Sequence, residues 1–267
     1  MHKVKKKLSR DLFLETEKVG EKFDLETHAV ILDRYHFAGS LSKRRKILEV
    51  GCGAGIGLEY LSMQAESVQA IEFSKENLDS LKHQEIGSAC VTEGDAHEMP
   101  YKSNNFDLVI ALAVIYYLSL TKFLNEVSRV LKDEGILFFC MSNKDVPGFH
   151  EAPFTTKYYS IPELHLELDR MGFDSEFYGA FPKDKGSLGR RVFIAAFKDY
   201  IKSLFELTQI GKEMWRKLRL KTLGKLIPIP KKITQANIEP SERVILDNHQ
   251  PNYQYKVIYV VAKKKCQ

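Results

Sequence analysis

Three carboxylates surround a glycine-crowded stretch of this chain. Glu49 stands just ahead of Gly51-Cys52-Gly53-Ala54-Gly55-Ile56-Gly57, Glu72 follows downstream, and Asp95 sits within Gly94-Asp95-Ala96. Glycines this dense let a backbone take positive φ and let a ligand approach main-chain atoms without meeting a Cβ. An acidic side chain about 20 residues beyond such a loop can accept hydrogen bonds from both hydroxyls of a ribose. Asp95 can accept from an exocyclic amino group. Glu49 narrows the ligand further, because a carboxylate at the mouth of the loop repels a pyrophosphate and favours an ammonium. An adenosine joined to an α-amino acid, without phosphate, satisfies all three acids; S-adenosylmethionine is such a molecule and carries a reactive sulfonium.

These residues need a scaffold that ends strands beside one another. Residues 46–50 read as a short apolar strand entering the glycine loop, and residues from Leu58 onward as a helix leaving it. Further strands are expected at 68–72, 89–93, 106–112 and 135–141, with helices at 75–83 and 122–131, the latter stopping near Gly135. A helix at 161–171, a strand near 174–180 and a last strand at 255–262 complete the pattern. Apolar strands alternating with helices predict an α/β fold with a doubly wound, Rossmann-like, mostly parallel sheet covered on both faces. Its last strand is expected to run antiparallel, after a helical insertion. The chain divides into an N-terminal helical cap (1–45, with a helix over 25–41), a core (46–181 and 255–264) and a basic insertion (182–254). Within the insertion, 189–223 reads as helical and the proline-broken remainder as irregular.

The motif series Glu49 to Gly55, Glu72, Gly94-Asp95-Ala96 and Asn105-Phe106-Asp107-Leu108-Val109 resembles that of class I S-adenosylmethionine-dependent methyltransferases over residues 46–142. The resemblance implies that Glu49, Gly51, Cys52, Gly53 and Gly55 hold the methionine end. It places Glu72 at the ribose with Phe73 following, and Gly94, Asp95 and Ala96 at the adenine. Ala111 and the residues after it would face cofactor and acceptor. Many relatives carry a His pair where Tyr116-Tyr117 stands here, so no catalytic role passes to that position. Residues 28–38, Ser142-Asn143-Lys144, Pro153-Phe154 and 159–164 are similar to methyltransferases associated with polysaccharide or lipopolysaccharide assembly, which implies a sugar or glycan acceptor.

Methyl transfer from a sulfonium requires alignment above all, and a base only where the acceptor must lose a proton. His150, in a loop after the fifth strand, is the candidate base. His97 reads as a capping or packing residue over the adenine ahead of a catalytic one, His28 as a cover of the pocket, Tyr35 equally as a cover or a core-packing residue, and Tyr116 and Tyr117 as packing aromatics ahead of acceptor-orienting ones. Cys52 is explained by its size.

Across 267 residues, 40 Lys and Arg against 35 Asp and Glu leave a net charge of +5. The excess gathers in the insertion, whose residues 189–232 form a basic amphipathic stretch. It suits either a solvated lid or contact with an anionic membrane surface. No recognition module accompanies it, so nucleic acid is not expected. Cys52, Cys90, Cys140 and Cys266 lack metal or disulfide spacing, so no metal site is expected. The N-terminal Lys-rich stretch is interrupted by Asp11, Glu15 and Glu17, so a cytoplasmic protein is expected, with any membrane contact at the inner face. The reading favoured is O-methylation of a sugar, glycan or related metabolite. The alternatives are methylation of a quinone, phenolic or other small molecule, and a non-catalytic cofactor-binding partner or sensor. Nicotinamide-dependent oxidation is disfavoured by Glu49 and Asp95.

Overall fold

The structure is a computed structural model and describes residues 16–183 and 226–266. Its elements in chain order are β1 (Lys22–Phe23), α1 (Leu25–Ser42), β2 (Lys46–Val50), α2 (Leu58–Ser62), β3 (Ser67–Glu72), α3 (Lys75–Leu81), β4 (Cys90–Glu93), β5 (Phe106–Leu112), α4 (Leu120–Val130), β6 (Leu131–Ser142), α5 (Ile161–Arg170), β7 (Phe173–Pro182), β8 (Ile227–Pro228), β9 (Val244–Ile245) and β10 (Tyr255–Lys264). Short 3₁₀ turns lie at Ile115–Tyr117 and Gln235–Asn237. Eight strands form one sheet in the order β4-β3-β2-β5-β6-β10-β7-β9. The first five pair in parallel, and β10 slots antiparallel between β6 and β7. The α/β class, the mostly parallel sheet and its antiparallel last strand are therefore as expected.

Both faces are covered, which is why the central strands lack a polar face. Leu48, Val109, Leu137 and Phe139 pack beneath α4 and α5. Their neighbours Ile47, Leu108, Ile110 and Phe138 pack beneath α1 and α2. Local chemistry sets the helix starts. Asp24 accepts from the Thr27 N–H at 3.0 Å to cap α1, Ser74 caps α3, and at α5 the Ser160 N–H donates to Glu163 at 2.7 Å.

Two expectations need correction. The helix expected over 122–131 does end at Val130, but Gly135 is not its stop, because β6 begins at once. The Lys264 ammonium donates to the Ser128 and Leu131 carbonyls at 3.0 and 3.2 Å and so satisfies the helix end. Gly135 instead sits where β5 and β6 slip register; a Cβ there would stand 2.8 Å from the Lys132 carbonyl oxygen. The carboxyl-terminal part of the insertion is also more ordered than its prolines suggest. β8 pairs with β1, and β9 adds an edge strand to β7. The helical reading of 189–223 lies outside the described residues. Among the described residues no helix is long and apolar enough to cross a membrane, and no cluster of three or more His, Cys, Asp or Glu could hold a metal.

The insertion also fastens the N-terminal helix. Asp33 on α1 is 0% exposed, and burying it is tolerable only because its carboxylate is saturated. It accepts from the Ser241 N–H and hydroxyl (both 2.9 Å), Arg243 (2.6 Å) and the Tyr259 hydroxyl of β10 (2.6 Å).

Candidate functional site

β2 lies between β3 and β5, so strand order reverses at its carboxyl end, where open α/β sheets bind ligands. The glycine loop leaves β2 at that point. Gly53 holds φ +56, and a Cβ on it would stand 2.8 Å from the Thr16 methyl. A Cβ at Gly57 would run into the Tyr35 ring. Around the loop lies a cavity of about 380 Å³. Gly51, Cys52 and Gly53 line it with Glu72, Phe73, Gly94, Asp95 and Ala96, bringing most of the expected cofactor residues together. Gly55 does not line it; a Cβ there would meet Leu81, so this glycine serves the packing of α3.

Glu72 is buried and orders the loop. Its two carboxylate oxygens accept from the Gly53 N–H at 2.8 Å and the Ser74 N–H at 2.7 Å. Lone pairs remain on both oxygens for a diol. Asp95 Oδ1 accepts from the His97 N–H at 2.9 Å and lies 2.7 Å from His97 Nδ1. His97 Nε2 accepts from the Ser119 N–H at 2.9 Å, which leaves the ring proton on Nδ1 facing Asp95. Both nitrogens of His97 are thus engaged in joining the Asp95 turn to the start of α4, which favours its structural reading.

Glu49 is 1% exposed. Its Oε1 accepts from the Tyr35 hydroxyl at 3.1 Å, while Oε2 is buried and has no partner. Burial pushes the carboxyl up to about 7, against the opposing pull of the Tyr35 hydrogen bond and the nearby Arg34. Burial likewise raises the hydroxyl of Tyr35 and the thiol of Cys52 well above their usual ranges. Burial opposes the charge on Arg34, but Glu17 more than offsets it and the guanidinium is held above its usual range. The two side chains are paired through both terminal nitrogens, Nη1 to Oε1 at 3.2 Å and Nη2 to Oε2, while Arg34 Nε is buried without a partner. Glu49 itself does not line the cavity but stands behind Tyr35, which does; an orphaned buried carboxylate oxygen there suits an ammonium, so the residues fit an amino-acid-bearing nucleoside.

The far end of the cavity is apolar. Leu112, Ala113 and Val114 line it, whereas Ala111 is fully buried in the core beneath α4 and α5; the expected strand-end contact is displaced by one residue or more. Tyr116, Tyr117, Leu118 and Phe154 complete the wall. Tyr116 stacks on Tyr158 at 4.6 Å, and its carbonyl accepts from the Thr156 N–H at 2.7 Å. His150 is exposed and is absent from the lining, so the structure does not place the expected base at the site. His28 is half-buried and also lies off the cavity. Sequence reasoning did not single out Thr16, Glu17, Arg34, Asn77 and Leu118, all of which line it.

Residues 48–139 match the family described as Methyltransferase domain. Over those residues the chain is similar to a methyltransferase domain. S-adenosylmethionine is the cofactor that this likeness and the fold imply, and the buried acids Glu49 and Glu72 suit it. The chain is 30% identical over 139 residues to an uncharacterised protein of Methanocaldococcus jannaschii, covering 51% of this chain and 60% of that one. It is 25% identical over 140 residues to a fatty-acid O-methyltransferase of Mycolicibacterium smegmatis, covering 50% and 51%. It therefore spans between half and two thirds of the length of these relatives. A crystal structure of a SAM-dependent methyltransferase from Thermotoga maritima shares the fold with a TM-score of 0.57 and 14% identity, covering 90% of this chain and 91% of that one. The matched residues run from within β2 to within β6 and include the glycine loop, and α1 and the segment before it lie against that loop through Tyr35 and Thr16.

Proposed function

We propose that this methyltransferase transfers the methyl group of S-adenosylmethionine to an oxygen of a small molecule whose body is apolar or aromatic. The observation that carries this reading is the continuity of one cavity from the polar cofactor end at Gly51, Gly53, Glu72 and Asp95 to a wall of Val114, Tyr116, Tyr117, Leu118 and Phe154. Apolar pockets with few polar groups select ligands by their apolar bodies. The bound cofactor supplies an electrophilic methyl group. The chain's own part is to fix the ribose through Glu72, to hold the amino-acid end beside Glu49, and to keep water from the line between acceptor and methyl with the aromatic wall. The fatty-acid O-methyltransferase relative is consistent with an acceptor of this class.

A sugar or glycan acceptor is the second reading, favoured by the exposed aromatic face of Phe154 at the rim, since such faces also stack on sugar rings. The basic stretch 189–232 would bring the protein to an anionic surface if the acceptor is carried on lipid. Residues 184–225 lie outside the described residues, and Lys232 is already committed to Glu59 at 3.0 Å and to Glu85. Incubation with methyl-labelled cofactor and fractionated cell extract separates these readings. Label entering the lipid or aromatic small-molecule fraction supports the first, and label entering glycan supports the second. Tight binding of S-adenosylhomocysteine with no label in any fraction would leave a binding protein without catalysis.

A further inference from the structure

The methionine end of the cavity holds a carboxylate that belongs to the chain. Arg34 is 6% exposed, lines the cavity, and is clamped by both oxygens of Glu17, which lines it too. The residue before Glu17 lies against the glycine loop: the Thr16 hydroxyl accepts from the Asn77 side-chain amide at 2.9 Å, and its methyl approaches Gly53. Close by, Glu49 offers an unpartnered buried oxygen. An α-amino acid brings an ammonium and a carboxylate on the same carbon. A buried carboxylate and a buried guanidinium side by side are the complement of that pair, and a guanidinium takes a carboxylate in a two-pronged grip.

We propose that Arg34 receives the α-carboxylate of the cofactor and that Glu17 occupies this position in the empty protein, so that binding exchanges an internal carboxylate for the ligand's own. This rests on the reading of the site as one for S-adenosylmethionine. Glu17 then has two effects. It keeps the buried Arg34 charge paired while the site is empty, and it lowers cofactor affinity by the strength of the contact that must be broken. Because Thr16 and Glu17 are adjacent, release of Glu17 also frees the segment that lies over Gly53.

The test is calorimetry with S-adenosylhomocysteine and with 5′-methylthioadenosine, which keeps the nucleoside and lacks the amino-acid group. Glu17→Gln should bind S-adenosylhomocysteine about threefold or more tightly than wild type does, since a neutral amide holds Arg34 less strongly than a carboxylate, and should bind methylthioadenosine unchanged. Arg34→Gln should weaken S-adenosylhomocysteine by about tenfold or more and leave methylthioadenosine unchanged. The ratio between the two ligands is read on each variant by itself, so a general loss of stability does not imitate the result. Equal weakening of both ligands in Arg34→Gln, or unaltered or weaker S-adenosylhomocysteine binding in Glu17→Gln, overturns the proposal while the cofactor reading stands. Wild-type protein that binds neither ligand overturns both.

Discussion

Glu49 makes cofactor binding depend on pH in a way that can be worked out from its surroundings. Its carboxyl is held at about 7 by burial, against an ordinary value of 4.5. The groups that face it are Tyr35, Arg34 and Glu72, with Glu17 and the Cys52 thiol near the same cluster. An α-ammonium placed beside the orphaned oxygen favours the carboxylate, so binding expels the proton wherever the empty protein holds one. The apparent dissociation constant then scales as one plus the ratio of protonated to ionised Glu49, a factor of about 11 near pH 6 and about 1.1 near pH 8. S-adenosylhomocysteine should therefore bind about tenfold more tightly at the higher pH, a gain of about 1.4 kcal/mol. Calorimetry in buffers of different ionisation enthalpy should show close to one proton released near pH 6 and almost none near pH 8. Tyr35→Phe removes a hydrogen bond that stabilises the carboxylate and should move the midpoint upward. Glu49→Gln should flatten the curve. A Glu49→Gln variant that follows the wild-type curve refutes the reasoning. The same shift works against the empty fold. Its raised carboxyl contributes stability that is fully present below 4.5 and lost as pH rises through about 7, about 3 kcal/mol in all, and saturating ligand should restore it.

Other perturbations follow from the same geometry. Glu72→Ala should weaken S-adenosylhomocysteine by about 1 to 3 kcal/mol, because it removes the ribose acceptor and frees the Gly53 N–H; unchanged affinity would remove Glu72 from the site. Gly57→Ala should push Tyr35 away from Glu49 and weaken the same ligand, with the pH midpoint moving upward as in Tyr35→Phe; a wild-type pH curve would contradict this. Asp33→Ala should cost about 3 to 5 kcal/mol in urea unfolding, since it leaves Arg243 without its buried partner, and a loss below about 1 kcal/mol would show that the Asp33 network is dispensable.

The sheet could be read from the chain because its strands are buried on both faces and so appear as unbroken apolar runs, as at Phe106–Leu112. The cavity around the glycine loop was equally accessible, since Glu72 and Asp95, which line it, stand at set distances from the loop along the sequence. Arg34 and Glu17 escaped because their role depends on how α1 and the segment before it cross the strand ends, and no local spacing encodes that crossing. The helix stop misplaced at Gly135 has the same origin: a lysine more than a hundred residues away supplies the cap. His150 drew attention through its residue type and its loop, while its exposure depends on the course of the loop through space. The acceptor wall mixes residues 112–118 with Phe154, and an aromatic residue reads alike in a core and in a pocket.

The knot around Asp33 sets an order of events during synthesis. Among the described residues those that line the cavity end with Leu118 and Phe154, yet α1 is fastened by Ser241, Arg243 and Tyr259, and β1 by Ile227–Pro228. A ribosome that has released the glycine loop and every strand up to β7 has still not released the residues that hold the cover in place. Contacts so distant along the chain close last. A nascent chain therefore gains full affinity for its cofactor only when β10 has emerged, and truncation inside that strand should cost ligand binding at a site the deleted residues never touch.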